Sequence, residues 1–130
     1  MSARIETPFP EICRWAAGNT GLPYVWSFAS TSPGPHVCVS ALVHGNEVCG
    51  AIVADALLQA LTSGLVPARG TLSVAFNNVD AYHAFDATKP FESRCVDEDF
   101  NRLWDVATLD GPRDSRELRR ARALRPFYDT

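Results

Sequence analysis

The chain places His44-Gly45-Asn46-Glu47 between an apolar run, "HVCVSALV" (residues 36–43), and a second apolar run that opens at Val48. A turn in that joint needs Gly45 and Asn46; it has no need of a histidine and a carboxylate three residues apart. A neutral imidazole nitrogen and a carboxylate oxygen are both good ligands for Zn2+. Catalytic zinc sites use three protein ligands and leave a further position for water. Gly45 lets the backbone turn sharply, so that His44 and Glu47 can meet at one point. The same pair also fits a plain surface turn, with Glu47 near a helix N-terminus where it favours the helix dipole. The pair by itself leaves both readings open.

A second cluster lies about fifty residues on, in "SRCVDEDFNRLW" (residues 93–104). Arg94, Asn101 and Arg102 sit there in an otherwise acidic loop, beside the apolar Phe100 and Trp104. Arg102 offers a planar fork suited to a carboxylate, and Asn101 can donate beside it. A surface loop in which Asp97, Glu98 and Asp99 neutralise the two arginines accounts for the same residues. There is no Gly-rich phosphate loop, and no Ser/His/Asp triad can be argued from spacing.

The elements that must position these residues follow from hydrophobic patterning. "PEICRWAAGNTG" (residues 10–21) reads as a short helix with Ile12, Trp15 and Ala16 on one face. "YVWSFAS" (residues 24–30) reads as a strand, and "TSPGP" (residues 31–35) as a turn, which predicts a hairpin with the next run. That run, residues 36–43, is almost continuously apolar, the mark of a strand covered on both faces. From Val48 the period is helical, with Ile52, Val53, Ala56, Leu57, Ala60 and Leu61 as the apolar stripe and Asp55, Gln59 and Thr62 opposite. "TLSVAFNN" (residues 71–78) is a further buried strand, followed by an irregular region over 86–101. The last helix takes Asp114 as cap and Glu117 as its capping-box partner, buries Leu118, Ala121 and Leu124, and closes at Pro126. Strand, helix and strand joined by a crossover of about 27 residues make a βαβ unit, right-handed by strong precedent. His44 then lies at the carboxyl end of a central strand, where open α/β sheets bind ligands.

The 130 residues fit a single α/β domain with a mixed sheet flanked by helices. A composition of 46% hydrophobic and 21% charged residues is ordinary for a globular protein, and a net charge of −3 argues against a general nucleic-acid binder. Five arginines between 116 and 125 spread around a helix with Asp114 and Glu117, which reads as a solvated face. No apolar segment approaches the roughly 20 residues of a membrane span. The N-terminus lacks the apolar stretch of a secretory signal. Cys13, Cys38, Cys49 and Cys95 are scattered, with Cys38 and Cys49 in apolar runs. They read as free thiols in a reducing compartment, which favours the cytoplasm, although an even count leaves a disulfide open.

Taken together, "LVHGNEVCG" and "SRCVDEDFNRLW" resemble the succinylglutamate desuccinylase/aspartoacylase family, which is similar in fold and site to the zinc carboxypeptidases. The family pattern is H-G-N-E at a strand end, then an Arg, then D-x-N-R. Here these are His44, Gly45, Asn46 and Glu47, then Arg94, then Asp99, Asn101 and Arg102. Asn77-Asn78 and "ELRRARAL" (residues 117–124) also look like the family, so the resemblance covers residues 35–128. It implies His44 and Glu47 as two ligands of one Zn2+ and Arg94 as the group that polarises the scissile carbonyl and stabilises the oxyanion. Asn101 and Arg102 would grip the carboxylate of the substrate, with Asp99 orienting a ligand or an arginine. The implied reaction removes an acyl group from an N-acyl acidic amino acid such as N-succinylglutamate or N-acetylaspartate.

The resemblance also implies a third zinc ligand, a histidine, beyond the helix that ends at Pro126, and a general-base glutamate further on. No residue here matches either role. His83 falls where the family has no ligand, and His36 begins the strand that His44 follows. The expectation is therefore a truncated, N-terminal part of a zinc-carboxypeptidase-like catalytic domain, inactive alone and exposing a sheet edge prone to self-association. A carboxypeptidase-like metallopeptidase shares the same constellation, and a non-catalytic binding module built from half the fold is the reading of another class.

Overall fold

The computed structural model describes residues 5–130. The reading of the N-terminus as free of a signal rests partly on residues 1–4, which lie outside the described residues. The chain clusters into two compact units.

The first unit comprises Phe9–Ala41 and Val48–Phe76. It holds β1 (Val25–Ala29), β2 (His36–Ala41), α1 (Val48–Thr62) and β3 (Thr71–Phe76). The sheet order is β1-β3-β2. β1 runs antiparallel to β3 from Val25↔Ala75 to Ala29↔Thr71, and β2 runs parallel to it from His36↔Thr71 to Ala41↔Phe76. The βαβ unit forms as expected, but the hairpin between β1 and β2 does not, because β3 lies between them. The turn explains this. Ser32 and Pro35 accept from Gly70 N (2.9 Å) and Thr71 N (3.0 Å), and Ser30 N donates to Gly70 O (2.8 Å). Residues 30–35 thus wrap the start of β3 instead of folding β2 back on β1, and Gly70 meets them with φ +68°, which a glycine adopts without strain.

β2 is an edge strand of the described sheet and is largely exposed, Val37 to 51%, so it is not covered on both faces. The core runs through Val74, Ala75 and Phe76 of β3 and Ala51, Ala54, Leu58 and Leu61 of α1. That face of α1 shares only Leu61 with the stripe expected from patterning: Ile52, Val53, Ala56 and Ala60 are exposed and Asp55 is buried. The reason is polar. Asp55 Oδ1 accepts from Trp15 Nε1 (2.8 Å) and Arg14 Nε (3.1 Å), and Oδ2 accepts from Gln59 Nε2 (2.8 Å). The N-terminal segment needs no long helix to deliver those donors. Only a 3-10 turn, Cys13–Trp15, forms there, with Ile12 and Trp15 buried. None of the four cysteines is in a disulfide, but Cys38 and Cys49 are exposed, not buried as their apolar neighbours suggest.

The second unit comprises Leu42–Glu47 and Asn77–Thr130 with the described residues up to Pro8. Its helices are α2 (Val79–His83), α3 (Val106–Asp110) and α4 (Arg116–Tyr128), with 3-10 turns at Glu92–Arg94 and Phe100–Arg102. α4 buries Leu118, Ala121 and Leu124, as its stripe predicts. Its cap differs. Ser115, not Asp114, accepts from Leu118 N (2.9 Å), and Glu117 turns into the interior. Pro126 lies inside the helix, since a proline in the last turn forfeits one hydrogen bond while Asp129 N still reaches Arg125 O (2.9 Å). The arginine face is only partly solvated. Arg122 donates to the carbonyls of Leu109 (2.8 Å) and Gly111 (2.7 Å), and Arg120 to that of Asn77 (2.9 Å). Among the described residues, no helix is long and apolar enough to cross a membrane.

Candidate metal and substrate site

The chain leaves β2 abruptly. Leu42 is buried and takes φ +62°, a left-handed conformation that costs a branched residue roughly 1–2 kcal/mol. Its carbonyl accepts from Asn78 N (2.7 Å), which anchors the break. Gly45 is not left-handed; its role is space. A Cβ at this position would run into the carbonyl of Ala81, so glycine alone permits the close approach. Gly45 N then donates to Arg94 O (2.7 Å), and Asn46 Nδ2 to Pro90 O (3.3 Å). The two motif segments, far apart in sequence, are thereby joined backbone to backbone.

Their side chains meet at His44. Its Nδ1 lies 2.8 Å from Glu47 Oε1 and its Nε2 lies 2.9 Å from Asp99 Oδ1. Val43 N donates to Glu47 Oε2 (3.0 Å), fixing that carboxylate. Asp99 Oδ1 also accepts from Asn101 N (2.9 Å), and Arg94 Nη2 donates to Asp99 Oδ2 (3.3 Å). The hydrogen bond from His44 holds the Asp99 carboxyl below the usual carboxylate range. Partial burial opposes this, while the Asn101 amide and the charges of His44 and Arg94 reinforce it. His44 is 15% exposed at its side chain and Glu47 39%, so the imidazole is sheltered while the carboxylate still reaches solvent.

An imidazole nitrogen facing a carboxylate oxygen is a donor set that fits a divalent metal. Nδ1 and Oε1 face each other, while Nε2 is backed by a second carboxylate, the arrangement that fixes the tautomer of a metal-binding histidine. A proton or a cation can occupy the space between Nδ1 and Oε1. Among the described residues, no third histidine, cysteine or carboxylate atom joins this pair within 4.8 Å. His83 is exposed, and His36 Nε2 is bonded to Ser73 Oγ (2.7 Å).

Asn101 and Arg102, the other residues of the second motif, lie on a 3-10 turn. Phe100 and Leu103 are buried on either side of Asn101 and Arg102, which both face solvent. Edge-to-face contacts run from Phe100 to Trp104 (5.4 Å) and on to Tyr128 (5.5 Å), whose hydroxyl donates to Asn77 Oδ1 (2.6 Å). Among the described residues Arg102 has no ion pair; its Nη1 donates to Asn101 O (3.3 Å). The neutralised loop offered by the sequence is therefore formed only at Arg94. Glu98 pairs instead with Arg113 (2.9 Å), and Asp97 Oδ2 accepts from Arg116 N (2.7 Å). Arg94, 43% exposed, joins His44 and Glu47 through Asp99, whereas the Arg102 guanidinium stands apart from that network.

Two residues escape a reading by pattern. Glu117 is fully buried, and its oxygens accept from the backbone N–H groups of Val96, Asp97 and Glu98. Asn78, also buried, donates to the same carboxylate (3.2 Å). The capping-box spacing of Glu117 masked its role. Its one sequence signal is a carboxylate directly beside the apolar Leu118 of the buried stripe.

Residues 33–129 match the succinylglutamate desuccinylase/aspartoacylase catalytic domain, and the chain belongs to that family. A relative from Burkholderia lata, named succinylglutamate desuccinylase, is 38% identical over 88 residues. Those residues make up 68% of this chain but only 23% of the relative's length. No solved structure matches the chain.

Proposed function

We propose that the chain carries the metal-binding and substrate-binding part of a zinc-dependent deacylase that cleaves the amide bond of an N-acyl acidic amino acid, such as N-succinylglutamate or N-acetylaspartate. The observation that carries this reading is His44 held between Glu47 on Nδ1 and Asp99 on Nε2. His44 Nδ1 and Glu47 would hold Zn2+, which when bound supplies a Lewis acid and an activated water. Asp99 keeps the ring proton on Nε2, leaving the Nδ1 lone pair for the metal. Arg94 places positive charge where the carbonyl oxygen becomes negative. Asn101 and Arg102, exposed on their anchored turn, grip the carboxylate of the amino acid and orient the scissile bond.

Within this proposal the two units are parts of one catalytic domain of zinc-carboxypeptidase type, acting in the cytoplasm on a small molecule. With His44 and Glu47 as its ligands, the 130-residue chain is expected to take up zinc weakly and to turn nothing over. Titration of the isotope-labelled chain with Zn2+ should perturb His44 and Glu47 first, an effect that His44→Ala removes. N-Succinylglutamate should perturb Arg94, Asn101 and Arg102 more than a free peptide does. Zinc acting elsewhere in the chain, or a peptide preferred to the N-acyl amino acid, would overturn the reading.

A further inference from the structure

We infer that Glu117, assisted by Asn78, is the positioning residue that sets Asp99 and Arg94 against His44, an inference that rests on the metal-site reading above. Glu117 starts from an expensive state: a carboxylate with no exposure in the interior. Four donors compensate it. Oε1 accepts from Val96 N (2.6 Å) and Asn78 Nδ2 (3.2 Å), and Oε2 from Asp97 N (3.0 Å) and Glu98 N (3.4 Å). None of these donors belongs to α4, the helix that carries Glu117.

Where the donors lie gives the role. Three consecutive amides turned onto one carboxylate fix the backbone of 96–98, the kind of concave anion nest that successive N–H groups form. Arg94 lies just before that stretch and Asp99 immediately after it, so both leave a fixed platform. Asn78 extends the hold to the other motif. Its backbone N donates to Leu42 O (2.7 Å) and its carboxamide contacts Val43 O (3.5 Å), directly before His44. One buried carboxylate thus ties together the segments that bring His44 Nε2 and Asp99 Oδ1 to 2.9 Å.

Glu117→Gln is close to isosteric but replaces one accepting oxygen with an amino group. In either amide orientation that group faces a backbone N–H, so at least one donor of the nest loses its acceptor. The test uses the metal-free, 15N-labelled 130-residue chain. In the wild type, the amides of Val96, Asp97 and Glu98 should exchange with solvent about 100-fold slower than an exposed loop. The His44 ring nitrogens should report a proton held on Nε2. In Glu117→Gln those amides should lose protection, and the ring signals should move as they do in Asp99→Asn. Ser115→Ala, which weakens α4 without touching the nest, should leave them in place. Zinc uptake should weaken about 10-fold, the lower end for loss of an outer partner.

A folded Glu117→Gln chain with unmoved His44 ring signals would overturn the inference, as would unprotected amides at 96–98 in the wild type. Should Glu117→Gln not fold, Asn78→Ala reads the same coupling. Lost protection at Val96 with a shifted His44 ring supports the inference, and no change in either overturns it. A wild type with the expected exchange and ring signals but no zinc at His44 sinks the metal reading alone.

Discussion

The two compact units solve the same problem, fixing a backbone, by different chemistry. In the sheet unit, position follows from apolar contact. Val74, Ala75 and Phe76 of β3 and Ala51, Ala54, Leu58 and Leu61 of α1 are buried, and regular hydrogen-bond ladders satisfy the strands. In the unit that carries the site, regular elements are short, and much of the placing is done by buried polar side chains. Asn77, Asn78, Ser115 and Glu117 are all buried there, each bonded to backbone or to another of the unit's polar groups. Apolar packing tolerates small sliding, whereas a hydrogen bond is lost within about 1 Å. A site that must hold an imidazole against a carboxylate gains from the second kind of support.

If that contrast is right, truncation of an apolar side chain should dominate the stability of the sheet unit. Leu58 has no exposure, and Leu58→Ala should destabilise by about 2–5 kcal/mol through lost transfer energy and a residual cavity. Asn78→Ala in the other unit should cost less, about 1–3 kcal/mol for buried partners left unpaired, but should disturb the His44 signals that Leu58→Ala spares. Urea unfolding followed by far-UV circular dichroism measures both. A larger loss at Asn78 than at Leu58 would break the comparison.

Asp55 sharpens it, as a charged side chain that, like the hydroxyl of Ser73, is buried inside the apolar unit. Burial pushes its carboxyl up, but the hydrogen bonds from Trp15 and Arg14, the charge of Arg14 and the bond from Gln59 outweigh this and hold it below the usual range. A folded-state value below the unfolded one means that its stabilisation is complete above the unfolded value, near 3.9, and is lost as pH falls through the lower folded value. Asp55→Asn should therefore be less stable than wild type by about 1–3 kcal/mol near neutrality. The gap should close in acid, where wild-type Asp55 is itself neutral. Unfolding free energies from pH 7 down to about pH 2 follow this window, and a gap that stays constant would show that Asp55 works by shape and not by charge.

What the sequence disclosed follows the same division. The helix expected over residues 10–21 shrinks to a 3-10 turn at Cys13–Trp15, whereas the three strands and α1 were legible as apolar runs bounded by turn residues, as in residues 71–76 and 48–62. Strand order was not, since pairing of β1 with β3 depends on how residues 30–35 wrap Gly70, a non-local contact. The buried face of α1 was misjudged because Asp55 looks like a surface residue until Trp15 and Arg14 are placed beside it. In the site unit, types and spacing marked the two clusters but left a plain surface turn and loop open. The roles of His44, Glu47, Arg94 and Asp99 came from the family resemblance, and the structure joins these four side chains in one hydrogen-bonded network. Glu117 was not legible in its role, because the spacing of a capping box and that of an inward-turned carboxylate are the same string of letters.

That ambiguity supports the smallest prediction. Asp114 and Glu117 have capping-box spacing, yet Ser115 Oγ is the atom that accepts from Leu118 N (2.9 Å), and Asp114 instead pairs with Arg119 at the surface. Removing a true cap exposes an unpaired helix N–H, so Ser115→Ala should cost about 1 kcal/mol. Asp114→Ala removes a solvent-exposed ion pair, which screening makes nearly worthless, and thermal unfolding should find it indistinguishable from wild type. The two substitutions are adjacent and each removes one side-chain acceptor at the start of α4, so their difference reads which of the two caps it. Equal losses would mean that Asp114 shares the capping role, which would leave Glu117 divided between the helix end and the loop.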